Sequence, residues 1–336
     1  MDNNNDMLKG KRILFFAPTF FSYEKMIADE MSKMGASVDY YNVRSITSAI
    51  GRGINKILPL AFSFQAKAYY KNILSQVKRK EYDYIFFIKC DMTPHCILKQ
   101  LKTIFPKAKM CLYLYDSVRN IPGVQTKFKY FDSLHSFDLN DCKKYARLKF
   151  RPLFFGEQYS SNVSVIAKPL KYDICFLGTV HSDRFFVIKK VQQIAKKKGL
   201  RCYWFLFLQS KMAYWFYRFT KKEFKGMTSK QFNYKSKTPE EIARIINSSR
   251  AVLDIQHPRQ TGLTMRTIEM IGMRKKIITT NKSIVKYDFY NPNNIMVIDR
   301  NNPMIDSSFF DKPYFELPKE IYDKYSIKKW ILDCLQ

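Results

Sequence analysis

The chain has 336 residues, 58 of them basic and 29 acidic, for a formal charge of +29. That length suffices for two domains of ordinary size, and 46% hydrophobic content excludes a disordered chain apart from the Asn-rich start at residues 1–6. The charge asks for an anionic partner, whether nucleic acid, an anionic lipid surface or a phosphorylated substrate, without choosing among them.

The seven cysteines are scattered and form no C-x-x-C pair, so a reducing compartment is expected rather than a disulfide framework. The four histidines share no metal-ligand spacing, and no zinc site is expected. The chain start lacks an apolar signal region. The longest apolar stretch, near residues 202–219, is broken by Gln209, Lys211 and Arg218 and falls short of a spanning helix.

Residues 12–17, RILFFA, read as a strand and Pro18-Thr19-Phe20-Phe21 as its exit loop. Ser22 is placed to cap a helix running to about Met34, with Gly35 just past its end. Residues 37–41 give a second strand. The first turn, APTFFSYE, has no glycine, which argues against a dinucleotide grip. A loop with Thr19, Phe20 and Tyr23 suits a sugar or lipid-linked acceptor, or packs as an aromatic loop. Gly51, Gly53 and the apolar patch at 57–62 precede a helix to about Lys80. Strands follow at 84–88, 109–115 and 131–137, with helices starting at Pro94 and near Asn140.

In open α/β sheets ligands bind outside the carboxyl ends of strands. Lys89, Asp91, Asp116, Ser117 and Asp138 all fall at such ends. Asp116 suits a general base acting on an acceptor hydroxyl; a strand-end turn or helix cap is the other use of an aspartate there.

Residues 150–168, with Pro152, Gly156 and a Ser160-Ser161-Asn162 run, read as an interdomain connection. Beyond it, residues 172–177 give a strand, Gly178-Thr179 a turn, and Ser182 or Asp183 the cap of a helix from Arg184 to about Lys198. Strand, Gly-containing turn and helix N-terminus make a candidate phosphate cradle, with Arg184 in its first turn. Residues 184–237 hold 15 Lys and Arg against one acid, Glu223, interleaved with aromatics. That mix suits an anionic membrane surface and also single-stranded nucleic acid. A Thr238-Pro239-Glu240-Glu241 start opens a further helix.

The most informative stretch is 251–281. A strand at 251–255 leads through His257, Arg259, Gln260 and Gly262 into a helix at 264–273, capped by Thr261 or Thr264, and then into a strand at 277–280. Arg259 and Arg266 beside a helix N-terminus run against the helix dipole unless an anion sits there. Glu269, one turn further in, suits ribose hydroxyls. Residues 295–299 read as a last strand and 318–335 as mostly helical.

Two Rossmann-like halves joined by a connection resemble a GT-B glycosyltransferase. The segment QTGLTMRTIE at 260–269 followed by KIIT at 276–279 is similar to the donor site of many such enzymes, and resembles the bacterial polysaccharide and lipopolysaccharide glycosyltransferases of the CgeB-like group. The resemblance implies an α/β fold with two Rossmann-like domains facing across a cleft. It implies an acceptor domain at 1–155, a linker at 156–168, a donor domain at 169–318, and a terminal helix at 319–336 that can cross back. By resemblance Glu269 holds the donor ribose; Arg266, Thr264 and Gly178 lie near the diphosphate; and Arg184 meets the leaving group. Thr179, His257, Arg259, Gln260 and Gly262 complete the donor set, and Thr19, Phe20, Tyr23, Lys89, Asp91 and Ser117 the acceptor set. Common retaining members carry a second glutamate eight residues earlier; here that position is Thr261, so retaining and inverting chemistry both stay open.

The expected function is transfer of a sugar from a nucleotide-sugar donor to a glycan or lipid-linked acceptor in bacterial surface polysaccharide synthesis. The enzyme is expected to be cytoplasmic and peripheral to the inner face of the membrane, with no metal, no cofactor and no nucleic-acid partner. The alternative is a non-catalytic basic α/β module that binds nucleic acid or anionic membrane.

Overall fold

The computed structural model describes residues 6–20, 22–45, 59–160, 170–180, 183–224, 226–258 and 261–336. Gly51, Gly53, Ser182, Arg259, Gln260 and most of the expected 156–168 linker lie outside them. The chain divides into two compact units, Met1–Pro152 with Ile327–Gln336, and Leu153–Ser326.

In the first unit the chain runs through β1 (Arg12–Ala17), α1 (Tyr23–Lys33), β2 (Ser37–Asn42), α2 (Pro59–Val77), β3 (Tyr84–Ile88), α3 (His95–Ile104), β4 (Lys109–Leu114), β5 (Ser133–Ser136), α4 (Leu139–Lys144) and β6 (Lys149–Phe150). The sheet is parallel with order β2-β1-β3-β4-β5-β6. Parallel strands are covered on both faces and therefore read as continuous apolar runs. Strand β1 is buried at five consecutive positions, and Phe16 stacks on its β3 neighbour Phe87 with centroids 4.5 Å apart. Helices α2 and α3 cover one face through Tyr70, Ile73, Ile97 and Leu101. The C-terminal helix Ile327–Leu335 covers the other, with Trp330 fully buried against Tyr113 at 4.7 Å and Phe86 at 5.8 Å. Residues 318–335 are thus two helices, Lys319–Lys324 and Ile327–Leu335, and the break between them is where the chain passes from one unit to the other.

The second unit runs through β7 (Tyr172–Thr179), α5 (Arg184–Lys197), β8 (Cys202–Phe207), α6 (Lys211–Thr220), α7 (Pro239–Asn247), β9 (Ser249–Asp254), α8 (Met265–Gly272), β10 (Lys276–Thr279) and β11 (Ile295–Val297). Its parallel sheet has order β11-β10-β9-β7-β8, packed on Ile174, Val187, Ile188, Leu253 and Ile278 among others. In both units the first strand lies between strands reached by opposite crossovers: β1 between β2 and β3, β7 between β8 and β9. Each unit therefore has a topological switch point, and the crevice outside the carboxyl ends of those strands is where such sheets bind ligands.

Three local expectations are corrected. Strand β7 continues through Gly178 and Thr179, which pair with Leu206 and Phe207 of β8, so these two residues belong to a strand and not to a turn. Ser22 precedes α1 in a left-handed conformation, φ 62°, and its side chain makes no cap bond; Glu24 instead accepts the Phe20 N–H at 3.0 Å. Asp183 makes no cap bond either, because its carboxylate pairs with Arg300 at 2.7 Å; the other expected cap, Ser182, lies outside the described residues.

Candidate functional site

Within the second unit, the switch point is filled by Arg184. Its Nε donates to the carbonyl of Ile255 at 2.6 Å and Nη1 to that of Thr179 at 3.0 Å, so one guanidinium joins the exits of β9 and β7. Burial holds this guanidinium below its ordinary pKa. The Asp254 charge opposes that shift, and the charges of Arg300 and Arg266 add to it. Gly178 lies underneath: a Cβ there would come within 3.1 Å of the Phe176 ring and 3.8 Å of Arg184.

Strand β9 delivers Asp254, only 4% exposed. Its Oδ2 accepts the Thr264 hydroxyl at 2.8 Å and the Thr267 hydroxyl at 2.5 Å. Thr264 in turn caps α8 by accepting from the Thr267 N–H at 3.2 Å. The start of α8 is therefore fastened to the strand end, and the positive end of its dipole is held at the sheet edge. One turn on, Glu269 is 2% exposed and its Oε2 lies 3.1 Å from Arg266 Nη1. Tyr159 is close enough that burial first, and then the Glu269 charge, pushes its phenol up to about 12. Arg300 adds a third guanidinium, donating to the Gln256 carbonyl at 2.7 Å and to the Thr280 hydroxyl at 3.2 Å. Guanidinium groups gathered at a helix N-terminus are chemistry for an oxyanion, phosphate above all. The buried carboxylate one turn in is chemistry for hydroxyls.

Within the first unit, a cavity of about 170 Å³ opens at the ends of β1 and β3, lined by Ala17, Phe20, Tyr23, Glu24, Arg44, Ile88, Lys89, Tyr115 and Asp116 among others. The Lys89 ammonium contacts the Asp116 carboxylate. Arg44 pairs with Asp91 at 2.9 Å, and Lys127, 8% exposed, donates to the carbonyls of Cys90 and Asp91 at 2.8 and 3.0 Å. Lys89 is left-handed at φ 62°, as is Ser22 beside Phe20 and Tyr23. Two of the three non-glycine residues with positive φ among the described residues thus adjoin this cavity, and such strain concentrates where a site dictates the backbone.

The structure brings the expected acceptor residues Phe20, Tyr23 and Lys89 together with Asp116 on this wall, and sets Asp91 behind it through Arg44. Thr19 accepts from Asn42 at 2.9 Å. Ser117 does not join them: it is 2% exposed and donates to Asp138 at 2.5 Å, so it serves the packing of the β4 exit. On the donor side, Arg184, Thr179, Gly178, Thr264, Arg266 and Glu269 lie along the ends of β7 and β9 and the first turns of α8. Gly262 is buried, its carbonyl accepting from Asn281 Nδ2 at 3.3 Å, and His257 is half-buried at the β9 exit. Residues that reading the chain did not single out are Asp254, Arg300, Arg44 and Glu24. The sequence carried a signal for two of them: Asp254 ends a predicted strand, and Glu24 sits in the first turn of a helix on a turn that lacks glycine.

No protein-family model matches the chain, and no curated protein does. Among solved structures, it is similar to HepE of Anabaena in complex with UDP and glucose, with TM-score 0.57, 9% identity, and coverage of 95% of this chain and 97% of that one. It is similar to a glycosyltransferase from Rickettsia africae ESF-5, with TM-score 0.56, 11% identity, and 97% of each chain covered. It is also similar to the lipopolysaccharide outer core galactosyltransferase WaaB in its apo form, with TM-score 0.51, 10% identity, and coverage of 96% and 99%. Identity this low speaks for the fold alone: two parallel sheets with interleaved helices, an α/β chain of the GT-B glycosyltransferase fold.

Proposed function

We propose that the chain is a glycosyltransferase of the CgeB-like group. It moves a sugar from a nucleotide-sugar donor to a glycan or lipid-linked acceptor in bacterial surface polysaccharide synthesis. The observation that carries this reading is the fastened start of α8 beside Arg184 at the switch point of the second unit, with Glu269 buried one turn in. Phosphates are assigned to the helix start, Arg184 and Arg266, and the ribose to Glu269. The neighbour solved with UDP and glucose supports that class of donor. The acceptor is assigned to the first-unit cavity, with Asp116 as base on its hydroxyl. Charge on the departing diphosphate is met by side chains and backbone N–H groups, without a cofactor. The proposed location is cytoplasmic, peripheral to the inner face of the cell membrane.

Thermal shift against UDP, GDP, CMP and their sugars tests the donor assignment. A ligand at 100 times its dissociation constant stabilises by about 2.7 kcal/mol. One nucleotide class should raise the melting temperature, and Glu269→Ala and Arg266→Ala should each abolish that rise. Because either variant breaks a partly buried ion pair, each must be compared with its own unliganded melting point. No shift with any nucleotide, alongside salt-dependent binding of oligonucleotides, would replace the transferase with a non-catalytic basic module.

A further inference from the structure

Helix α6 turns an apolar face to solvent. Met212, Trp215, Phe216 and Phe219 recur at i, i+3, i+4 and i+7, a single helical stripe, and are 81%, 54%, 62% and 81% exposed. The opposite face does the packing. Tyr214 is buried with its hydroxyl donating to the Met227 carbonyl at 2.8 Å, and Tyr217 lies against Phe224 with centroids 5.1 Å apart. Ser210 caps the helix by accepting from the Ala213 N–H at 3.0 Å. The helix is therefore formed and seated without the exposed stripe, and Trp215 and Phe219 stack on each other at 6.0 Å as a ridge.

The charge around the stripe says what covers it. Lys211, Lys221 and Lys222 at the two ends of the helix are exposed, and residues 211–222 contain four Lys and Arg with no acid before Glu223. The occupant must present negative charge with apolar matter directly beneath it. Nucleic acid offers anions and bases to stack, but no place for Met212. An anionic bilayer offers phosphates above and hydrocarbon below. Ten residues span about 15 Å, half the thickness of a hydrocarbon core, so a helix of this length is too short to cross a bilayer.

We propose that α6 is an interfacial anchor: its Met212, Trp215, Phe216 and Phe219 enter the boundary between headgroups and acyl chains of an anionic bilayer while Lys211, Lys221 and Lys222 sit among the phosphates. This deepens the membrane-peripheral part of the proposed function and rests on α6 alone.

The test uses the full chain with phosphatidylglycerol-containing vesicles and with pure phosphatidylcholine vesicles. Binding is expected to the anionic vesicles only. Trp215→Ala/Phe219→Ala and Lys221→Glu/Lys222→Glu are each expected to lower the partition coefficient by at least about tenfold with the melting temperature unchanged. Tryptophan emission should shift to the blue on binding and fail to do so in Trp215→Phe. Binding that survives the loss of Trp215 and Phe219 would overturn the anchor. So would an absence of vesicle binding, or a self-associated form in ultracentrifugation that the apolar variant disperses. Thermal shift with nucleotide sugars on the same preparations keeps the two readings apart. A nucleotide shift without vesicle binding sinks only the anchor; vesicle binding without a nucleotide shift sinks only the transferase.

Discussion

Lys89 occupies a backbone region that lysine seldom visits, and its neighbours show what holds it there. Lys127 grips the next two carbonyls, and the Lys89 ammonium is engaged by Asp116. This fixes a carboxylate at the wall of the first-unit cavity. Asp116→Asn keeps the shape and removes the proton acceptor. With the donor that thermal shift identifies, the variant should lose at least about a hundredfold in transfer rate while its nucleotide-induced stabilisation is unchanged. A wild-type rate would remove Asp116 as the base. His135 makes a separate prediction. It is buried on β5, and burial, with Lys149 and Arg151 adding and Asp333 opposing, pushes its pKa down to about 4. The unfolded chain binds this proton near pH 6.5, so the unfolded state takes up more protons between the two values. The contribution of neutral His135 is full above about pH 6.5 and is lost as pH falls toward 4. The melting temperature should therefore fall on acidification from 6.5 to 5, before most carboxylates titrate. His135→Asn should flatten that limb; an unchanged limb would place the titration elsewhere.

Helix α8 shows how an element is placed by its ends. Its first turn is fastened through Thr264 and Thr267 to Asp254. Its last residue, Gly272, lies so close to the segment bearing Phe155 and Tyr159 that a Cβ would sit 2.5 Å from the Phe155 ring and 2.6 Å from the Tyr159 carbonyl. The Tyr322 hydroxyl donates to the Gly272 carbonyl at 2.7 Å. A backbone carbonyl cannot move aside as a flexible side chain can. Gly272→Ala should cost about 3 kcal/mol or more in urea unfolding, and by shifting the helix that carries Glu269 it should also weaken nucleotide binding. A neutral Gly272→Ala would show that this packing is looser than the contacts require. The misjudged caps belong here as well. Ser22 and Asp183 occupy positions where short polar residues usually close a helix. A left-handed backbone took one of them out of reach, and a cation from a loop more than a hundred residues away claimed the other.

For the molecule as a whole, the C-terminal ten residues belong to the first unit. Trp330, Ile331, Cys334 and Leu335 are all buried, Asp333 pairs with Arg151 at 2.9 Å and Lys328 lies 3.8 Å from Glu30. Burying that many large side chains contributes on the order of 10 kcal/mol before entropy is counted, as much as the net stability of a domain. Deleting residues 327–336 should thus abolish or sharply lower one of two calorimetric transitions and leave the other, from the second unit, in place. A single unchanged pair of transitions would refute that dependence.

Strands with both faces covered must be apolar throughout, so β1, β3, β4, β7, β9 and β10 declared themselves in the residues, and the alternation with helices implied two parallel sheets. The same local physics put Lys89, Asp116, Arg184, Thr264 and Glu269 near strand ends or a helix start. What no local pattern contains is the identity of partners distant in the chain. That Arg184 closes the exits of β7 and β9, that Asp254 holds the start of α8, that Arg300 takes the Asp183 carboxylate and that Ser117 turns inward to Asp138 all follow from strand order and register. Those are decided only when many non-local contacts form together. The exposed ridge of α6 is the converse case. Its amphipathic spacing is written in the sequence, but which face meets solvent depended on where the core put Tyr214 and Tyr217.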